Sequence, residues 1–272
     1  MTPIQSIILG FIQGTTEFLP ISSSGHLVII PFLLGWHFPE QEAFIFNVLV
    51  QLATLLAVIV YFWRDLLGIV RDFILGLWQK RPFSSLQARL GWYLILATIP
   101  AGLAGLAFKA TIEKAFNSPQ VIAGFLLITA ALLLLAEKIG KRIYTIEKIN
   151  WVDALFIGLF QVVALLPGVS RSGATITGGM LRDLERPAAA RFAFLMSVPV
   201  MLVAGLLETL DLLAMPTSQQ ILLSFIPGFV AAAIVGYLSI HWLLGFIVRR
   251  PLYIFAIYCI GLSLITLLVS LI

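Results

Sequence analysis

The sequence predicts an all-α polytopic membrane protein with six transmembrane helices and two re-entrant helix–loop–helix hairpins. These elements form an inverted-topology repeat within a single membrane domain, 1–272. Three observations predict it. Sixty per cent of the residues are hydrophobic and 11% are charged, against about 25% charged in soluble domains. Six stretches reach the apolar length of roughly 20 residues that a bilayer span needs. Two further apolar regions are broken at their middles by proline, glycine and hydroxyl residues, and the two align with each other.

The elements follow in order. The first broken region covers 3–35 and is interrupted by Glu17-Phe18-Leu19-Pro20-Ile21-Ser22-Ser23-Ser24-Gly25-His26. Spans are predicted over 43–63, 89–109 and 119–137. The second broken region covers 151–181, interrupted by Leu166-Pro167-Gly168-Val169-Ser170-Arg171-Ser172-Gly173-Ala174-Thr175. Spans over 189–207, 220–247 and 252–271 complete the chain. The fifth is long enough to tilt or kink, with Pro227 and Gly228 near its start. Each half of a broken region is too short to cross comfortably. Irregular backbone at membrane depth is tolerated where protein buries it or a wet cavity surrounds it, so both regions are expected to be re-entrant.

Shifting the first broken region by 148 residues brings Gly10 onto Gly158, Gln13 onto Gln161, Ser22 onto Ser170, Ser24 onto Ser172 and Gly25 onto Gly173. Phe44 and Phe46 then meet Phe192 and Phe194. Repeat one covers about 1–145 and repeat two about 146–272. Three crossings separate the hairpins, an odd number, so the second copy is inverted. Charge agrees. Segments 64–89, 138–150, 182–191 and 249–250 fall on one side and hold fourteen Lys or Arg, while the other side holds Lys109 and Lys114. Single crossings by the broken regions give nine against seven. The positive-inside rule selects the first arrangement and puts both termini outside the cytoplasm. Full double crossings give the same count, so charge leaves that alternative open.

The first basic residue is Arg64, so no cleavable signal peptide is expected. The lone cysteine, Cys259, has no partner for a disulfide. A net charge of +4, spread through short loops, calls for no nucleic-acid partner.

Glu17 and Arg171 are the ionisable residues set most deeply in apolar surroundings, at about 2.5–3.5 kcal/mol each at a helix centre. An inverted repeat brings its two broken elements together near the midplane. Glu17, Ser22, Ser23, Ser24 and His26 then face Ser170, Arg171, Ser172 and Thr175. Arg171 offers a planar fork for phosphate oxygens. Hydroxyls and the N-terminal amides of the half-helices add anion donors. His26 can move a proton near neutral pH. Glu17 can hold a divalent cation or act as a base, with Gln13 one helical turn before it. The set describes a phosphate or pyrophosphate site. The plainer readings are a structural Glu–Arg pair, serines bonded to backbone, and a core histidine. His37 and His241 receive no role.

These residues also carry a resemblance. Gln13-Gly-Thr-Thr-Glu17 is similar to an [E/Q]-x-x-x-E motif, and Pro167 to Thr175 to a P-G-x-S-R-S-x-x-T motif. Both belong to the BacA-type undecaprenyl-pyrophosphate phosphatases, the bacitracin-resistance family. The likeness covers essentially the whole chain. Gln13 stands where some members carry Glu, and a carboxamide is not an acid–base group. The resemblance implies hydrolysis of undecaprenyl pyrophosphate to undecaprenyl phosphate and inorganic phosphate in the bacterial inner membrane. The site would open to the periplasm and depend on Mg2+ or Ca2+. It implies functional positions at Gln13, Glu17, Ser23, His26, Ser170, Arg171 and Thr175. Another lipid-phosphatase class is excluded, because no Lys stands seven residues before Arg81-Pro82, Arg186-Pro187 or Arg250-Pro251.

The expected division of labour follows. Glu17, Ser23, His26 and Arg171 carry the chemistry. Ser22, Ser24, Ser170, Arg171, Ser172 and Thr175 bind phosphate, and Glu17 with Gln13 holds the cation. Ser23 or a water attacks, with His26 taking the proton. A transporter or flippase of an anionic polyprenyl lipid is the alternative, since such proteins also pair inverted repeats with broken helices. The oligomeric state is left open.

Overall fold

The computed structural model describes residues 1–108, 111–112, 118–213 and 219–271. Lys109 and Lys114 therefore lie outside the described residues. Eleven α-helices are described: α1 Pro3–Phe18, α2 Ser23–Leu33, α3 Glu40–Tyr61, α4 Trp63–Trp78, α5 Leu86–Ala107, α6 Pro119–Ile139, α7 Trp151–Val163, α8 Arg171–Leu181, α9 Arg186–Leu213, α10 Gln219–Arg249 and α11 Tyr253–Val269. A single 3-10 turn, Ile146–Lys148, precedes α7. Among the described residues no strand forms beyond one isolated bridge, Tyr144 to Leu184.

Among the described residues, five helices are long and apolar enough to cross a membrane: α3, α5, α6, α9 and α10. The last predicted span, 252–271, is realised as the 17-residue α11, about 26 Å at 1.5 Å per residue and at the short end for a span. Each broken region is a pair of short helices: 16 and 11 residues for α1 and α2, 13 and 11 for α7 and α8. None exceeds about 24 Å, short of a hydrocarbon core of about 30 Å.

One expectation is corrected. Segment 64–89, read as a basic loop, contains α4. Trp63, Leu67, Val70, Ile74 and Trp78 recur at helical spacing and are all exposed, while Arg64, Asp65, Arg71 and Asp72 lie between them. Those two charge pairs lower the hydropathy below that of a span, although the 3.6-residue period is intact. α4 packs on α5, where Ser85 caps α5 and also donates to Asp72 at 2.8 Å.

The two hairpins start alike. Thr2 and Gln5 form a capping box on α1, and Asn150 and Asp153 form one on α7; each satisfies two otherwise unpaired amides. Both pairs are related by the 148-residue shift. The first helix of each hairpin then packs on a helix of the other half of the chain: α1 on α10, and α7 on α5. Glycine permits both approaches. A Cβ at Gly10 would stand 2.1 Å from the Gly228 carbonyl oxygen, and one at Gly158 would stand 2.4 Å from that of Ala97. Ser6 adds a polar clasp by accepting from the Gly228 amide at 3.0 Å.

Ion pairs gather where the predicted cytoplasmic segments meet. The Glu137 carboxylate, 1% exposed, takes Arg186 and Arg142 and also the Leu252 amide at 2.8 Å. Arg182 pairs with Asp153 at 2.6 Å and Arg191 with Asp65 at 2.6 Å.

Candidate active site

The second helix of each hairpin begins at the break, and a serine caps each one. Ser22 Oγ accepts from the Gly25 amide at 3.2 Å, and Ser170 Oγ accepts from the Gly173 amide at 3.1 Å. Ser23 and Arg171 therefore occupy the same place, the first residue of α2 and of α8. Each helix presents the positive end of its dipole and its free amides at the break.

Glu17, the penultimate residue of α1, sits between them. Its Oε1 accepts from Arg171 Nη2. Its Oε2 accepts from Ser23 Oγ at 2.5 Å and from Gln13 Nε2 at 3.0 Å. One carboxylate thus joins both hairpins. Its side chain is 7% exposed and that of Arg171 20%. A buried pair of this kind loses several kcal/mol, roughly 3–5, if one partner is removed. Opening the pair without a replacement charge would therefore be costly. The guanidinium has five N–H donors, so accepting an anion does not require it to release Glu17 entirely.

The two tips also touch through Ser172, whose hydroxyl donates to the Leu19 carbonyl at 3.0 Å. That fixes the direction of the neighbouring contact: Ser170 Oγ donates to Ser172 Oγ at 3.1 Å. Thr175 Oγ1 donates to the Arg171 carbonyl at 2.8 Å. In this state the hydroxyl protons of Ser170, Ser172 and Thr175 go to protein acceptors, so phosphate would have to draw them away by rotation. Ser22 and Ser24 hydroxyls lie 3.3 Å apart. A narrow cavity reaches Glu17, Arg171, Ser172 and Thr175, with Phe18 and Phe194 as apolar walls.

His26 does not take the expected position. Its Nδ1 lies 2.7 Å from the Ser22 carbonyl and its Nε2 lies 2.7 Å from Tyr258 Oη. Both nitrogens are engaged, and the serine hydroxyl that was to face the imidazole goes to Glu17 instead. The reason is local. Ser22 has φ +71°, a bend that turns its carbonyl onto the ring and aims the next side chain toward α1.

Several contributors carry no sequence signal. Thr54 on α3 accepts from Gln13 Nε2 at 3.5 Å. Thr129 on α6 secures the second break, donating to the Gly168 carbonyl at 3.1 Å and accepting from the Ser170 amide at 2.9 Å. Cys259 Sγ lies 3.9 Å from the Pro20 carbonyl at the first break. Only the placing of Thr129 within an apolar span hints at a polar duty.

A cation fits the donor set in kind. Glu17 and Gln13 offer oxygen, the ligand that hard divalent ions prefer. Gln13 Oε1 is buried without a hydrogen-bond partner, so one oxygen beside the carboxylate is uncommitted. No group of three or more His, Cys, Asp or Glu side chains capable of holding a metal occurs among the described residues. Further ligands would therefore come from substrate oxygens, as is common for Mg2+.

Residues 6–265 match the family described as bacitracin resistance protein BacA. The chain belongs to the BacA family. It is 45% identical to an undecaprenyl-diphosphatase of Thermomicrobium roseum over 97% of both chains. It is 40% identical to one of Myxococcus xanthus, over 98% of this chain and 89% of the relative. A third, from Chloroherpeton thalassium, is 42% identical over 97% and 95%. Within this BacA chain, the Glu17-centred cluster lies in the two segments that carried the family motifs.

Proposed function

We propose that the chain hydrolyses undecaprenyl pyrophosphate to undecaprenyl phosphate and inorganic phosphate, recycling the lipid carrier for cell-wall synthesis. The observation that carries this reading is the Glu17 carboxylate, held between a serine hydroxyl and an arginine at the paired N-termini of α2 and α8. Nucleophile, base and phosphate-binding cation converge on one group. Family membership and the names of the relatives support the substrate.

In this mechanism the pyrophosphate enters the polar cleft while the prenyl tail remains in lipid. Spare N–H groups of Arg171 bind terminal phosphate oxygens, aided by the amides of α2 and α8 and by Ser22, Ser24, Ser170, Ser172 and Thr175. Ser23 Oγ attacks the terminal phosphorus as its proton passes to Glu17 Oε2. The bond to the bridging oxygen breaks and undecaprenyl phosphate leaves. A water then attacks the phosphoserine, freeing inorganic phosphate and restoring the hydroxyl. Splitting one displacement into two is the gain from covalent catalysis, and positioned charge supplies most of the rate. Glu17 and Gln13 would hold Mg2+ or Ca2+, which when bound neutralises charge on the phosphate oxygens. His26 acts here through Ser22 rather than on the proton of Ser23.

The membrane arrangement that suits this reading has six spans, two re-entrant hairpins of opposite orientation, both termini in the periplasm, and a cleft open to that side. The short paired helices and the fourteen-to-two split of basic residues support it. The test is phosphate release from undecaprenyl pyrophosphate by purified protein, with and without EDTA. Release that EDTA abolishes is expected. A lipid transporter releases none.

A further inference from the structure

We propose that Tyr258 is a positioning residue for this reaction: it locks His26 in one tautomer and so holds the bend that delivers Ser23 to Glu17. The proposal rests on the phosphatase reading for its kinetic part only. A carbonyl accepts and never donates, so His26 Nδ1, 2.7 Å from the Ser22 oxygen, carries the ring proton. In the neutral imidazole Nε2 is then the acceptor, and Tyr258 Oη at 2.7 Å donates to it. The two rings lie nearly parallel, 5° apart with centroids at 5.6 Å, which fixes the imidazole plane as well as its tautomer. Without the phenol, the Nδ1 bond to the Ser22 carbonyl is the one described hydrogen bond left on the ring, and nothing bonded to Nε2 fixes the tautomer.

Ser22 needs such a clamp. Its φ of +71° is a region that side-chain-bearing residues rarely adopt. Its carbonyl receives two bonds from His26, the ring at 2.7 Å and the backbone amide at 3.2 Å. The next residue is Ser23, whose hydroxyl is 2.5 Å from Glu17.

The other hairpin serves as an internal control. Ser170, equivalent to Ser22, has φ −69° and needs no clamp; there Gly168 takes the positive φ, +99°. His26 has Ala174 as its counterpart. α6 and α11 can be registered by Thr129 on the Gly168 carbonyl and Cys259 on the equivalent Pro20 carbonyl. In that register Tyr258 corresponds to Ile128. The left-handed serine, the imidazole and the phenol thus occur together, in the hairpin that carries Ser23, and are absent together from the other.

The test is nitrogen-15 spectroscopy of histidine-labelled protein combined with kinetics. The chain has three histidines, and a His26→Gln variant assigns the relevant ring. Wild type is expected to show Nδ1 protonated and Nε2 as a hydrogen-bonded acceptor. Tyr258→Phe should shift the Nε2 resonance and lower kcat about tenfold, the rate equivalent of one ordinary hydrogen bond, with KM within about twofold. A wild-type ring protonated on Nε2 overturns the proposal whether or not the variant folds. An unmoved His26 signal in Tyr258→Phe overturns it too, even if activity falls. If wild type releases no phosphate, the phosphatase reading fails, while the nitrogen shifts still decide the clamp.

Discussion

The two hairpins share their scaffold and differ in their chemistry. Capping boxes, close-approach glycines, serine caps and paired hydroxyls recur at equivalent places. Where they diverge, each substitution bears on the cluster: Glu17 against Leu165, Ser23 against Arg171, His26 against Ala174. Gln13 and Gln161 are identical in type, yet Gln13 bonds Glu17 and Thr54, while neither amide atom of buried Gln161 has a partner. The equivalent positions that build the break are alike, and those that differ meet at Glu17. The two copies of one helix-start position have become the donors on either side of a single carboxylate.

The most decisive way to break this comparison is to ask whether the hairpins are inverted. In a Cys259→Ala background, His37→Cys follows the first hairpin and Glu185→Cys follows the second. An impermeant thiol reagent applied to intact spheroplasts should label the first and spare the second. Labelling of both from outside would end the inverted reading.

Next in size is the contrast at Glu17 and Leu165. Glu17→Gln removes the base that accepts the Ser23 proton, and turnover should fall on the order of 10²–10⁴-fold. Leu165→Met, at the equivalent place, should stay within about threefold. The attacking group can be read independently. A chiral thiophosphate substrate should show retention at phosphorus, because two displacements occur; inversion would assign the attack to water.

Arg171→Lys keeps the charge but loses the planar fork, and kcat should drop about 100-fold. Activity close to wild type would mean that a point charge suffices opposite Ser23. The smallest contrast is between the two glutamines. Gln13→Leu should cost about tenfold in rate through the lost bond to Glu17. Gln161→Leu removes unpaired buried polar atoms and should leave turnover intact while raising the unfolding midpoint by about 2–4 °C. Equal losses in both variants would show that the second hairpin retains a duty of its own.

Much of this was legible in the sequence because membrane insertion writes itself into runs of residues. Helix ends fall within a few residues of the apolar stretches for α3, α5, α6 and α10, α9 runs six residues beyond its stretch, and the proline and glycine breaks mark the ends of α1 and α7. The meeting of Glu17 and Arg171 is what the predicted inversion and the cost of a lone buried charge lead one to expect. What was illegible depends on exact rotation and long-range neighbours. Tyr258 meets His26 across 232 residues, and nothing near either residue announces the other. The choice of Glu17 over His26 as partner of Ser23 hangs on one backbone dihedral at Ser22. α4 was missed because hydropathy averages over a window, whereas its apolar residues lie on one face.

The exchange of helices between the two halves has a consequence for synthesis. The surface on which α1 docks, around Gly228, lies 222 residues downstream of Ser6. At roughly 5–20 residues per second a ribosome needs about 10–40 s to deliver it. Throughout that interval the first hairpin is in or at the bilayer with Glu17 exposed, because Arg171 lies 154 residues further along the chain. A carboxylate in that position is costly to bury without its partner. It follows that the hairpin cannot complete its packing as it emerges. It settles late, once the second half of the protein has arrived to receive it, and a chain truncated before α10 leaves the family's first motif without a seat.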